Sequence, residues 1–163
     1  MSFNCDNTRA VMAKLILNKI PDFTGVDEMR RLTNKNVDSR IFQRHLDSLS
    51  METLIDLKQL AQKVKIEPTT LKHHLMQVYD GLVFYSPPNS NFNRSMIYIQ
   101  FAIEICIISV KQGKSHEIRT IHEIVSRILI EKSNIASNNE LISSWSRYVA
   151  YLSSIFNLYN KIV

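Results

Sequence analysis

The chain has 163 residues, of which 45% are hydrophobic and 21% are charged, a composition typical of a globular protein and not of a disordered one. Only three glycines and four prolines occur, which favours a mainly α protein and excludes the glycine-rich phosphate-binding loops of many nucleotide enzymes. The formal net charge of +5 is compatible with a polyanionic partner but does not demonstrate one.

Cysteine usage and hydropathy predict a cytoplasmic protein with no membrane partner. Cys5 and Cys106 are far apart and form no CxxC pair, as expected in a reducing compartment. The most apolar run, residues 96–110, is too short to span a bilayer comfortably and contains Gln100 and Glu104, so we interpret it as core. No secretion signal is recognisable near the N-terminus.

Three helices are predicted in the first part of the chain. The apolar spacing predicts a helix over residues 7–20, ended by Pro21 and Gly25. Two further helices are predicted over residues 26–34 and 38–50. The basic residues of these two helices form either a second DNA-contacting element or the solvated face of a packing corner, and they are Arg30, Arg31, Lys35, Arg40 and Arg44.

Two helices that meet at a corner are predicted next. Residues 51–56 are interpreted as a short strand or as the lead-in to a helix, and Asp56 as the N-cap of a helix over residues 57–65. Pro68 indicates where the second helix begins. Proline is favoured at the first position of a helix, where a backbone N–H has no intrahelical partner to lose. The residues of this second helix that are expected to face inward are Leu71, Leu75 and Val78.

A small β unit is predicted after the corner. Residues 82–86 read as a strand, residues 87–93 as a turn-rich loop, and residues 94–101 as a returning strand with alternating apolar side chains. The last run also fits a helix with Gln100 and Glu104 on one face, and periodicity does not separate the two alternatives.

The last third of the chain predicts a helical pair that forms a homodimer. The first helix carries one apolar stripe, made of Ile118, Ile121, Val125, Ile128 and Leu129. The second follows Ser137 and Glu140, a capping-box pattern. Its aromatic and aliphatic stripe either packs within the chain or forms a dimer interface. We favour the interface, whose predicted residues are Trp145, Tyr148, Leu152, Ile155, Phe156 and Tyr159.

The order helix, strand, helix, helix, strand, loop, strand over residues 38–101 resembles a winged helix-turn-helix DNA-binding domain. Ala61 is a small residue at the position where the two helices cross, and Thr69 and Thr70 open the second helix as in such motifs. Lys65 departs from the pattern, since the family usually has glycine in the tight turn. The resemblance implies a mainly α fold with a small β wing, flanked by a helical segment over residues 1–37 and a dimerisation region over 102–163.

The resemblance also implies sequence-specific binding to double-stranded DNA by a small cytoplasmic transcription regulator. A recognition helix presents exposed side chains to the major groove, and neighbouring basic residues neutralise phosphates. The expected DNA-binding residues are Thr69, Thr70, Lys72, His73 and Gln77 on the recognition helix, Lys58, Lys63 and Lys65 around the turn, and Arg94 in the wing. Two alternatives stay open: an adaptor that binds a protein partner instead of DNA, and a replication or partition protein of a mobile element.

No catalytic, metal or cofactor site is predicted. His73 and His74 are adjacent, so on a helix they point about 100° apart and chelate poorly. His116 and His122 are six residues apart, not the four that bring two histidines onto one helical face. No paired nucleophile and base can be recognised either, so the chain is not expected to be an enzyme.

Overall fold

The computed structural model describes residues 5–33, 38–81 and 91–133, and helices occupy most of these three ranges. A short 3-10 turn, Ser115–Glu117, leads into the last α-helix, and a π-helical turn, Leu129–Ser133, follows it. The seven α-helices are α1 (Cys5–Lys19), α2 (Val26–Thr33), α3 (Arg40–Asp47), α4 (Met51–Gln62), α5 (Pro68–Gly81), α6 (Asn91–Lys111) and α7 (Ile118–Ile128).

Helix α6 forms the centre of the fold. Every residue from 95 to 106 is buried, and α6 packs against α1, α3, α4, α5 and α7. A helix that is apolar on all sides is stable only when other elements enclose it, so the remaining helices are arranged around α6. Within the described ranges, no helix combines the length and the apolar character needed to cross a membrane.

The predicted β wing is wrong. Residues 94–101, for which a returning strand and a helix were the two alternatives, lie inside α6, and the described ranges contain no strand. A run that is buried on every side has apolar residues at both helical and alternating spacings, and its period therefore favours neither structure. The first predicted strand, residues 82–86, and the loop that follows it as far as residue 90 lie outside the described residues.

The start of α4 agrees with one of the two alternatives predicted for it. Residues 51–56 form the first turns of this helix, so the strand alternative is wrong. Its N-cap is Ser50 and not Asp56, because the Ser50 Oγ accepts a hydrogen bond from the backbone N–H of Thr53 at 3.1 Å. Capping by a serine hydroxyl satisfies one of the backbone donors that the first turn leaves open.

The apolar stripe predicted for α7 is confirmed, and all five of its residues are buried. Helix α1 packs against α7. Arg9 of α1 donates two hydrogen bonds to the Glu123 carboxylate, at 2.9 and 3.2 Å. This ion pair lowers the pKa of Glu123, so the carboxylate is charged where it joins the two helices.

Helix α6 runs through residues 101 and 102, where the predicted DNA-binding unit ends and the predicted dimerisation region begins.

Two histidines are buried in this helical core. His45 is 3% exposed, and burial lowers its pKa from the ordinary 6.5 to about 4. His122 is 4% exposed. Burial also lowers its pKa, while its hydrogen bond to the Arg9 carbonyl, at 2.9 Å, acts in the opposite direction. Both imidazoles are therefore neutral in the folded protein at neutral pH.

These histidines predict a loss of stability in mild acid. As the pH falls from 6.5 towards 4, the unfolded chain binds a proton at His45 that the folded protein does not, so the free energy of unfolding decreases. Each unit of pKa difference corresponds to ~1.4 kcal/mol, so His45 contributes a loss of roughly 3 kcal/mol across this window. Urea unfolding at pH 7.5, 6, 5 and 4 measures the decrease. The variant His45→Phe should flatten it, and an unchanged slope would contradict the assignment.

Candidate nucleic-acid interface

The corner between α4 and α5 is present as predicted from the local sequence. Residues 63–67 join the two helices. Pro68 is the first residue of α5, and the N–H groups of Thr70 and Leu71 donate to the Glu67 carbonyl at 3.2 and 2.9 Å. Proline, which has no N–H, is favoured in this first position because a backbone N–H there would have no intrahelical acceptor. The sequence therefore fixes where α5 begins.

Helix α5 is attached to the central helix by apolar packing and one buried hydrogen bond. Leu71 and Leu75 are both fully buried. The Tyr98 hydroxyl of α6 donates to the Leu75 carbonyl at 2.9 Å, and the Tyr98 and Tyr79 rings meet edge to face with centroids 5.1 Å apart. An aromatic pair of this geometry adds ~0.5–1.5 kcal/mol to its area burial. These contacts hold the inner face of α5 and leave its outer face to solvent.

The outer face of α5 presents three predicted DNA-binding residues in one row. Thr69, His73 and Gln77 are all exposed and recur every four residues, a spacing that places them on one side of a helix. Lys72 is also exposed, on the flank towards α7, where it borders a small groove with Arg127. Thr70 differs from these residues, since it is half-buried and its hydroxyl has no hydrogen-bond partner within the described ranges.

The predicted phosphate-binding lysines surround the turn. Lys58, Lys63 and Lys65 are exposed, and none of them forms an ion pair with any residue that the structure describes. The structure adds Lys114, whose ammonium group donates to the Ile66 carbonyl at 3.3 Å. Lys114 follows the end of α6, and only the three-dimensional fold brings it to the turn.

The remaining predicted site residues lie elsewhere. Arg94 belongs to the first turn of α6 and not to a wing. It is half-buried, and its guanidinium lies 4.8 Å from the centre of the Tyr79 ring. All six predicted dimer-interface residues, between Trp145 and Tyr159, lie outside the described residues.

The second basic corner has local partners for two of its arginines. Arg30 donates to the Pro21 carbonyl at 2.6 Å and lies 3.5 Å from the Asp27 carboxylate. Arg40 forms a bidentate pair with Asp38, and this hydrogen bonding lowers the pKa of Asp38 to about 2. Charges that are already paired gain less from a phosphate group, so the α4–α5 corner is the stronger candidate.

A cleft that the sequence did not predict lies beside the α4–α5 corner. Its walls come from α1, α3, α4 and α6, and its volume is about 410 Å³. Three lysines, Lys19, Lys58 and Lys111, border it together with the buried pair Gln100 and Glu104. The sequence held one signal of this cleft, since two polar residues four apart interrupt the most apolar run of the chain.

No group of three or more His, Cys, Asp or Glu side chains is placed to hold a metal ion within residues 5–33, 38–81 and 91–133. His73 is exposed and His74 half-buried, with ring centres 6.1 Å apart. The adjacent histidines therefore diverge, as their positions on a helix require.

Comparison with known proteins gives no relative for this chain. No family model, curated protein or solved structure matches it. What the corner offers chemically is a row of hydrogen-bonding side chains flanked by lysines with no partner among the described residues, which suits a polyanionic surface.

The packing of α5 predicts which of its residues support the fold. Leu75→Ala removes a fully buried side chain and should lower the free energy of unfolding by ~2–5 kcal/mol. Gln77→Ala is the matched control on the same helix, because Gln77 is exposed and such changes usually stay within ~0.5 kcal/mol. Urea denaturation measures both variants. Equal losses would mean that the inner and outer faces of α5 are assigned wrongly.

Proposed function

We propose that the chain binds double-stranded DNA through the α4–α5 corner, as a sequence-specific transcription regulator of the cytoplasm. The observation that carries the proposal is the exposed row Thr69, His73 and Gln77 beside Lys58, Lys63 and Lys65. Between Lys58 and Gln77 the sequence has four lysines and one acidic residue, Glu67. This local excess of positive charge is a stronger argument than the net charge of the whole chain.

Charge at the corner supports binding to the DNA backbone. Exposed lysines displace the counterions that surround a duplex, and this release supplies most of the non-specific affinity. Because Lys58, Lys63 and Lys65 have no carboxylate partner among the described residues, a phosphate would not have to displace one. Each lysine that contacts a phosphate should add about 0.9 to the slope of log affinity against log salt concentration.

The outer face of α5 supports reading of base edges. The helix has 14 residues and is therefore about 21 Å long at ~1.5 Å per residue, enough to lie along a major groove. Gln77 offers both a donor and an acceptor, as adenine recognition requires, and Thr69 can bind a phosphate or a base edge. A two-helix unit of this kind contacts DNA without a β wing.

An adaptor function is the second candidate, and one observation favours it. Helix α4 exposes three large apolar side chains, with Met51 at 70%, Ile55 at 46% and Leu60 at 37%. Exposed apolar residues at a helical surface are a common feature of protein-binding sites.

Dimerisation of the chain is part of the proposal. Two copies related by a two-fold axis would bring two α5 helices to two half-sites of a palindromic operator. The predicted interface comes from residues 137–163 and rests on sequence alone. Analytical ultracentrifugation of the full chain measures the dimer directly, and a monomer at micromolar concentration would remove this part of the proposal.

Fluorescence anisotropy tests DNA binding. A labelled duplex from the region upstream of the gene is titrated at several salt concentrations beside a scrambled duplex. Selective binding to the first duplex, with a steep salt dependence, is the expected result. Equal weak binding to both would reduce the function to charge attraction. Binding to neither would favour the adaptor candidate.

The double variant Lys72→Ala/His73→Ala should weaken binding to the specific duplex without unfolding the protein, since both side chains are exposed. One lost base contact typically costs ~1–3 kcal/mol, or about 5- to 150-fold in affinity. The variant Lys63→Ala/Lys65→Ala should instead weaken both duplexes and lower the salt slope by about 2. Met51→Ser is the matched control on α4, and a loss of DNA binding in this variant alone would contradict the assignment.

A further inference from the structure

The central helix carries a buried polar pair that the packing of the fold does not explain. Gln100 is 6% exposed and Glu104 is 5% exposed. The Gln100 amide donates to one Glu104 carboxylate oxygen at 3.1 Å. Within the described residues no cation pairs with Glu104. A buried carboxylate without a cation is costly, and such a group in a folded protein calls for an explanation.

The pair lies against a cleft of ligand size. The volume of about 410 Å³ falls within the ~300–1,000 Å³ range of small-molecule sites. Apolar side chains form its walls, namely Leu46, Leu54, Ile103, Ile107 and Ile108. Gln100 and Glu104 are buried and form the floor. The rim is exposed and carries three lysines against one carboxylate, with the residues Lys19, Lys58, Lys111, Asp47 and Gln62.

The floor, the walls and the rim require three different chemical groups in one ligand. A carboxylate only accepts hydrogen bonds, so the floor suits a group with N–H donors. The apolar walls suit a flat ring, and the three lysines of the rim suit an anion such as a phosphate.

We propose that this cleft binds a guanine nucleotide, with the base on the Glu104 floor and the phosphate at the lysine rim. Guanine presents two adjacent N–H donors, which a single carboxylate can accept together. Adenine has no such pair of donors, so Glu104 selects between the two purines. Lysine ammonium groups hold the phosphate without a glycine-rich loop. The proposal does not rest on DNA binding, because its evidence is the cleft and the buried pair alone.

Isothermal titration calorimetry of the full chain with GMP, AMP and inorganic phosphate tests the proposal. GMP should bind at one site per chain and at least tenfold more tightly than AMP, because adenine offers the carboxylate one amino group and lacks the second, adjacent N–H donor of guanine. Phosphate alone should bind more weakly than either nucleotide, through the rim lysines only. If GMP binds no better than phosphate, or if no probe binds, the proposal is overturned.

Two variants separate the floor from the rim. Glu104→Gln keeps the size of the side chain but removes the charged acceptor, and should weaken GMP at least tenfold while leaving phosphate unchanged. Lys58→Ala/Lys111→Ala should weaken GMP, AMP and phosphate together. Lys65→Ala is the matched control, because Lys65 is exposed but does not line the cleft. An unchanged GMP affinity in Glu104→Gln overturns the assigned floor.

A third variant covers the case in which Glu104→Gln does not fold. Ile107 is a half-buried residue of the cleft wall, so Ile107→Trp fills the cleft from its side without changing the buried pair. Helical circular dichroism should be retained and GMP binding lost. GMP binding that persists in a folded Ile107→Trp protein would place the nucleotide outside this cleft and overturn the proposal.

Discussion

The need to enclose α6 on all sides is the constraint on which the rest of the fold depends. Twelve consecutive residues of this helix, 95–106, are buried, whereas an ordinary surface helix buries a single stripe. Five helices pack around it, and each of them buries its own apolar face by this packing. Removing any one of them would expose a side of α6 that contains too few polar groups to face water.

The position of the candidate DNA-binding helix follows from this arrangement. Tyr98 of α6 holds α5 through the Leu75 carbonyl, and the lysine that follows α6, Lys114, contacts the turn before α5. The outer face of α5 is therefore fixed relative to the core at both its beginning and its middle. A surface that is held rigidly loses less conformational entropy on binding than a mobile loop would.

Helices that bury a single face, such as α7, could be predicted from the sequence, whereas the enclosed helix α6 could not. The stripe of α7 and the start of α5 at Pro68 were right because an amphipathic period and a proline are local signals. For α6 the apolar run has too few polar residues to set its period, so its spacing left a strand and a helix as equal alternatives. For α4 both Ser50 and Asp56 are acceptable N-caps, and only the packing of Thr53 and Leu57, both buried, selects the earlier one.

The candidate sites divide in the same way. Exposure of Lys72, His73 and Gln77 could be predicted from the spacing of Leu71 and Leu75 alone. The cleft could not, because its lining residues come from four helices that are distant in sequence, and only their packing around α6 brings Lys19 and Lys111 to Lys58. The polar pair Gln100 and Glu104 within an apolar run was visible in the sequence, but its role depends on the residues of the other helices that face it across the cleft.

Lys58 belongs to both the cleft rim and the basic corner, and this has a thermodynamic consequence. If the nucleotide and DNA both bind, each uses the charge of the same ammonium group, so their binding free energies are coupled. The phosphate of a nucleotide at the rim also adds negative charge next to the surface that would face the duplex, which opposes DNA binding. By reciprocity, DNA would weaken nucleotide binding by the same factor. If both proposals hold, a small molecule in the cleft would therefore act on the corner as a negative effector.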